Sequence, residues 1–270
     1  MWNALVVVWR ESLEALLVIG VMWSWTATRS DQRRLRVGLW MGVAIGALVA
    51  LVLGYATYAA QGMLAQQTLE QVHALMPLLA ALLILHMVLW MHRHGRHMRQ
   101  TLQRQVEAAG ASMGAALAVG AITAMAVARE GAETVVFLYG LAATAEPFQM
   151  WLGAGVGLGL GVACVALVAG GIRHMPLRAL FRLSEWLLLV TATSLLVAGL
   201  DRLVAMEWVP TWVDPLWDAS GWIDDGQGWG RFLAEFAGYR ARPAATVVLA
   251  VVLFWAFALW RLLRIDRAAR

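Results

Sequence analysis

Arg10-Glu11-Ser12-Leu13-Glu14 and Arg129-Glu130-Gly131-Ala132-Glu133 are two copies of one pattern, R-E-x-x-E, each set inside an otherwise apolar run. Positions three apart on a helix share a face, so each pair of glutamates can grip one ion. Each arginine stands four residues before the second glutamate, close enough to pair with it and hold its orientation. Counted from the expected helix start, Glu11 and Glu14 lie about 15 Å deep, near the middle of a hydrocarbon core roughly 30 Å thick. An Asp, Lys or Arg at the centre of a membrane helix costs about 2.5–3.5 kcal/mol, so six such groups cost roughly 15–20 kcal/mol if Glu behaves like Asp. A structural ion-pair network competes with a functional one. Apolar replacement of buried ion pairs is often neutral or stabilising, which favours function.

The rest of the composition points to a membrane as solvent. Of 270 residues, 61% are hydrophobic and 14% charged, with several apolar runs of about twenty residues. This excludes a soluble globule and a disordered chain. The formal charge of +4 comes from 21 basic residues, all arginine. They cluster in connections between apolar runs, a pattern of membrane orientation that argues against a nucleic-acid partner. Cys164 is the single cysteine, which removes internal disulfides and thiolate clusters. No basic n-region precedes the first apolar run, and Arg10, Glu11 and Glu14 interrupt it, so it reads as a retained helix, not a signal peptide.

Apolar periodicity predicts an all-α membrane protein with seven transmembrane helices: Trp2–Thr28, Leu35–Gln61, Val72–His92, Met113–Ala143, Gln149–Ile172, Ala179–Ala205 and Ala244–Leu263. Arg29, Arg33, Arg34 and Arg36 follow the first helix; Arg93, Arg96, Arg99 and Arg104 the third; Arg173, Arg178 and Arg182 the fifth; Arg261, Arg264, Arg267 and Arg270 the last. These mark the cytoplasmic side. Glu70, Glu146 and the acids of the long sixth connection (Asp201, Glu207, Asp214, Asp218, Asp224, Asp225, Glu235) mark the other side, placing the N-terminus outside and the C-terminus inside. Trp208, Trp212, Trp217, Trp222 and Trp229 in that connection suit an interfacial anchor, with an acidic surface for a cation or partner as a second reading.

Glycines at Gly38, Gly42 and Gly46 follow the first R-E-x-x-E helix, and Gly153, Gly157 and Gly161 follow the second. Such ladders are packing seams that let backbones approach. Helices one to three thus recur as four to six, and an odd number of crossings inverts the second copy, a plan common in secondary transporters. The expected divisions are 1–110 for the first repeat, 111–207 for the second, 208–243 for an outer Trp/Asp-rich loop, and 244–270 for the seventh helix and basic tail. At the repeat interface, four carboxylates and two guanidiniums leave two negative charges, which a divalent cation neutralises. All-oxygen ligation suits Mg, Mn or iron and disfavours Cu(I), without choosing among the first three.

These residues resemble the high-affinity iron permeases, or oxidase-dependent iron transporters, of fungi and bacteria. The paired R-E-x-x-E helices are that family's signature, and Met87-Val88-Leu89-Trp90-Met91, Arg129 to Leu138, Pro215-Leu216-Trp217-Asp218 and Gly238-Tyr239 before Pro243 are similar to its other landmarks. The resemblance implies a bacterial inner-membrane permease, not an enzyme, that moves iron from periplasm to cytoplasm as Fe2+ or Fe3+ without a prosthetic group. It implies Glu11, Glu14, Glu130 and Glu133 as iron-carrying carboxylates, with Arg10 and Arg129 as companions. It also implies periplasmic partners, iron-binding and cupredoxin-like or peroxidase-like, that oxidise or deliver iron. Ser12 departs from the glycine frequent at that position.

Secondary metal candidates are Glu70, three residues before His73 at the outer start of the third helix, and Asp201 at the outer end of the sixth. His86 is read as hydrogen-bonded to a neighbouring helix, and His92, His94 and His97 with Arg93 and Arg96 as an interfacial cluster. Glu185 is expected to pair with Arg182 or line an exit. Two rival functions are a transporter of Mn or Mg or a cation/proton antiporter built on the same carboxylates, and a membrane carboxylate di-iron oxidoreductase. The second lacks paired histidine ligands at the right depth.

Overall fold

The computed structural model describes residues 1–29, 31–94, 114–143, 146–169 and 177–268. Within them the chain is all helical: α1 (Trp2–Ala27), α2 (Gln32–Gln61), α3 (Gln66–His94), α4 (Ala115–Ala142), α5 (Pro147–Ala169), α6 (Leu177–Ala205), α7 (Gly228–Ala237) and α8 (Ala245–Ala268). Helices stand where the seven apolar runs predict them, with ends displaced by a few residues; α7 is additional. Met113, Ile172, His97, Arg96, Arg99, Arg104, Arg173 and Arg270 lie outside the described residues, as does the division at 110–111.

Among the described residues six helices, α2 to α6 and α8, are long and apolar enough to cross a membrane. The protein is a multi-pass membrane protein. α1 is long enough but carries Arg10, Glu11 and Glu14, and the bundle buries all three. By contrast α2 turns Trp40, Met41, Ile45, Leu48 and Leu51 outward, an apolar face suited to lipid and far larger than a water-soluble surface tolerates. The core joins Val7 of α1, Ile84 and Val88 of α3, Phe137 of α4, Leu188 of α6 and Ala258 of α8.

Contacts establish the direction of each neighbouring pair. Gly38 meets Ala116, Gly42 meets Gly120 and Gly46 meets Ala124, so α2 and α4 run parallel. Gly153 meets Met1, Gly157 meets Leu5 and Gly161 meets Ser12, so α1 and α5 are parallel too. α3 and α6 are antiparallel, pairing Leu78 with Gly199 and His92 with Glu185. Because α1 turns back into α2, α4 also runs opposite to α1. The most extensive packing is α2 on α4, α1 on α5 and α3 on α6, and α1 also meets α4. Exchanging the first three helices with the next three returns the same set of pairings.

Both glycine ladders are therefore packing seams. A methyl group at Gly157 would lie 2.5 Å from the Leu5 carbonyl oxygen and 2.9 Å from the Trp9 nitrogen, backbone atoms that cannot rotate away. A methyl group at Gly155, two residues earlier, would meet no other helix within 4 Å among the described residues. Gly157→Val should lower the melting temperature in detergent by the equivalent of about 1–3 kcal/mol of overpacking, while Gly155→Ala leaves it unchanged. Equal melting of the two variants would show that the seam yields.

Residues between α6 and α8 fold back on the bundle through Leu216 N–H to Pro243 O (2.8 Å) and Ala245 N–H to Val213 O (2.9 Å). α7 ends at Gly238 in the left-handed conformation, φ 75°, with its N–H on Ala234 O. A side chain there would meet the backbone of Ser194 in α6, a Cβ falling 2.9 Å from its α-carbon. Trp222 and Trp229 remain almost fully exposed.

Candidate functional site

The two R-E-x-x-E segments meet where α1 crosses α4. Glu11, Glu130 and Glu133 each direct one carboxylate oxygen into a group whose members lie within 4.8 Å of one another. Glu11 and Glu130 are buried and Glu133 is partly open. When ionised, neither oxygen of Glu11 has a hydrogen-bond donor among the described residues, and Oε2 of Glu130 also lacks one, while the two carboxyls lie within hydrogen-bonding reach of each other. Buried anionic oxygens without donors are costly, and a cation among them supplies the missing interaction.

Glu14 stands apart from this group. It forms an ion pair with Arg10, whose Nη2 also donates to Met91 Sδ. Glu11 and Glu14, expected to grip one ion together, thus have different partners here. The reason is electrostatic: Arg10 is wholly buried, and the nearest carboxylate on its own helix face must compensate it. The second copy behaves differently. Arg129 donates from Nε to Glu133 Oε1 at 2.8 Å, yet its guanidinium is half exposed and lies 4.9 Å from the centre of the Trp90 ring. Glu133 thereby keeps its place beside Glu11 and Glu130. Glu11, Glu130, Glu133 and Arg129 together carry two negative charges when ionised, and the Arg10–Glu14 pair adds none.

A family model described as the Iron permease FTR1 family matches residues 1–264. The chain belongs to that family. It is similar to the ferrous iron permease EfeU of Yersinia pestis, 27% identical over 257 residues that cover 92% of this chain and 88% of the relative. The protein of that name from Escherichia coli O6:H1 is 29% identical over 256 residues, covering 92% and 90%. No solved structure matches it. Iron transport by a permease with transmembrane helices, suggested by the resemblance, is thus the function of the family.

Within this permease the secondary metal candidates stay away from the carboxylate group. Glu70 is exposed on the first turns of α3, at the end of the bundle. Asp201 is taken by Arg240, whose Nε donates to Oδ2 at 2.7 Å. His86 faces outward from α3, where hydrogen bonding to a neighbouring helix had been expected. Glu185 bonds His92 Nδ1 at 3.1 Å, in place of the pairing with Arg182, and His92 Nε2 reaches Asp266 at 3.0 Å. Asp266 carried no sequence signal, because it sits among the basic residues of the tail. The rest of the histidine cluster, His97 and the side chain of His94, lies outside the described residues.

Several acids of the segment between α6 and α8 have partners of their own. The Ser220 hydroxyl and backbone N–H, with Arg242, hold the Asp218 carboxyl down at about 2, and Glu235 pairs with Arg231. Between α7 and the bundle lies a cavity of about 360 Å³ lined by Asn3, Glu146, Gln149, Asp225 and Glu235. At its wall Asn3 donates to Ser194 Oγ (2.9 Å) and to the Glu235 carbonyl (2.7 Å), and accepts from Thr191 Oγ1. Sequence reading passed over Asn3, although an amide two turns before Glu11 in one apolar run was a visible signal.

Proposed function

We propose that this permease carries iron as a divalent cation from periplasm to cytoplasm across the bacterial inner membrane, through the carboxylates of the two R-E-x-x-E segments. The observation that carries this reading is the convergence of Glu11 with Glu130 and Glu133, buried and short of donors, from helices more than a hundred residues apart in the chain. Three carboxylates replace part of a hydration shell, and their charge with Arg129 matches a divalent ion. Donor chemistry admits Mn and Mg as well; the family and the ferrous iron permeases it resembles favour iron.

In this reading α1 is a seventh span, with its charges sheltered between helices as intramembrane ionisable groups require. The N-terminus faces the periplasm, because the arginines at the start of α2 and the end of α8 share one end of the bundle and the acidic 206–244 segment occupies the other. The exchange symmetry of helix contacts supports two inverted repeats, 1–110 and 111–207, which rock about the shared site. An extracytoplasmic partner delivers ferrous iron at the Trp-rich outer surface.

The test is twofold. Crystals soaked anaerobically with Fe2+ should show an anomalous peak among Glu11, Glu130 and Glu133. Vesicles holding the purified chain should accumulate Fe2+ in the presence of a large excess of Mg2+. A peak elsewhere, or uptake abolished by Mg2+, would overturn the assignment.

A further inference from the structure

We infer that the metal passes between two overlapping stations, an outer one of Glu11, Glu130 and Glu133 and an inner one of Glu11, Glu130 and Glu14, and that the Arg10–Glu14 ion pair shuts the inner station in the conformation described. The inference rests on the carboxylate site proposed above and assigns different duties to glutamates that the sequence presents as equivalent.

The set of helix pairings is unchanged by exchange of the two repeats, and the side-chain arrangement is not. Under that exchange Glu14 stands to Glu130 as Glu133 stands to Glu11. Yet Glu133 is 25% exposed and joins the group, whereas Glu14 is 5% exposed and held by an arginine with no exposure at all. Two halves whose matching carboxylates stand in unlike states are what one end state of an inverted-repeat transporter presents.

Direction along the membrane normal assigns the stations. α1 runs from the acidic end to the basic end, so Glu14 lies one turn nearer the basic end than Glu11, about 4.5 Å at 1.5 Å per residue. α4 runs the other way, so Glu133 lies one turn nearer the acidic end than Glu130. The cavity below α7 opens on that same acidic side, with Asn3 about 12 Å along α1 from Glu11. The cavity and Glu133 thus lie toward the same end of the bundle, with buried Val7 and Phe137 at the positions between, and Glu14 lies toward the end that faces the cytoplasm in the proposed orientation.

α3 supplies the coupling. Its adjacent residues Trp90 and Met91 contact Arg129 and Arg10 respectively. One displacement of α3 against α1 and α4 therefore acts on both arginines. If it frees Arg10 from Glu14, the inner station gains its third carboxylate while Glu11 and Glu130 keep hold of the ion. Each station, counted with its arginine, carries the same two negative charges, so the handover leaves the electrostatic balance of a divalent ion unchanged.

The test separates binding from passage. Anaerobic Fe2+ binding is measured by equilibrium dialysis in detergent, and uptake in vesicles. Glu133→Gln should weaken binding at least about tenfold, while Glu14→Gln keeps binding within about threefold and loses uptake, each factor of ten being about 1.4 kcal/mol. Since Glu14→Gln leaves Arg10 buried without its partner, the double variant Arg10→Gln/Glu14→Gln provides a neutral pair that tests the same point. Equal weakening of binding by the Glu14 and Glu133 variants, or near-normal uptake by a folded Glu14 variant, overturns the two-station order. Undiminished binding by Glu11→Gln would instead remove the carboxylate site itself, so the two failures are distinguishable.

Discussion

Glu130→Gln is expected to abolish iron uptake while leaving the helices assembled. The carboxamide has the shape of the carboxylate but removes one charge and one anionic ligand, which reduces the net charge facing the ion from two to one. A loss of about a hundredfold or more in transport corresponds to roughly 2.7 kcal/mol of lost metal stabilisation, modest for a ligand removed outright. Stability should hold or rise, because the new N–H groups can donate to the donor-free oxygens of Glu11. Iron accumulation in vesicles and thermal unfolding, measured on the same preparation, check both halves. Near-normal accumulation by a well-folded variant would remove Glu130 from the pathway.

Arg10→Met should be the most destabilising change in the charged centre. It leaves the Glu14 carboxylate buried and uncompensated, a situation that costs about 3–5 kcal/mol. The double variant Arg10→Met/Glu14→Met should recover most of that stability, since an apolar pair of similar volume packs without desolvation cost, and should still fail to transport. Arg129→Met makes the useful contrast. Its guanidinium is half exposed, and its pair with Glu133 is worth at most about 1 kcal/mol. Denaturation in detergent would compare the three; similar losses for Arg10→Met and Arg129→Met would contradict the difference in enclosure.

Much of the architecture was legible in the chain because its causes are local. An apolar run of about twenty residues has few structures open to it in lipid, and helix satisfies every backbone group. The glycine ladders could be read as seams because small residues at four-residue spacing let backbones touch, and Gly157 against Leu5 does so. α7 was missed since its ten residues carry Gly and polar positions that read equally well as loop. The ion pair of Asp201 was not legible for a different reason: its partner Arg240 lies 39 residues away, beyond any spacing rule.

The sequence by itself determined that charged groups would sit inside an apolar helical protein, in two copies, since the cost of burying them is a property of each segment. Only the tertiary structure decided which of them meet. Glu14 and Glu133 are interchangeable as letters, and what separates them is how the bundle encloses their arginines, Arg10 with no exposure and Arg129 half exposed. The same holds for Glu185, which bonds to His92 across helices and not to Arg182 on its own. Pairing in a low-dielectric interior goes to whichever partner the packing brings within about 3 Å, and that distance is set by how whole helices lie against one another.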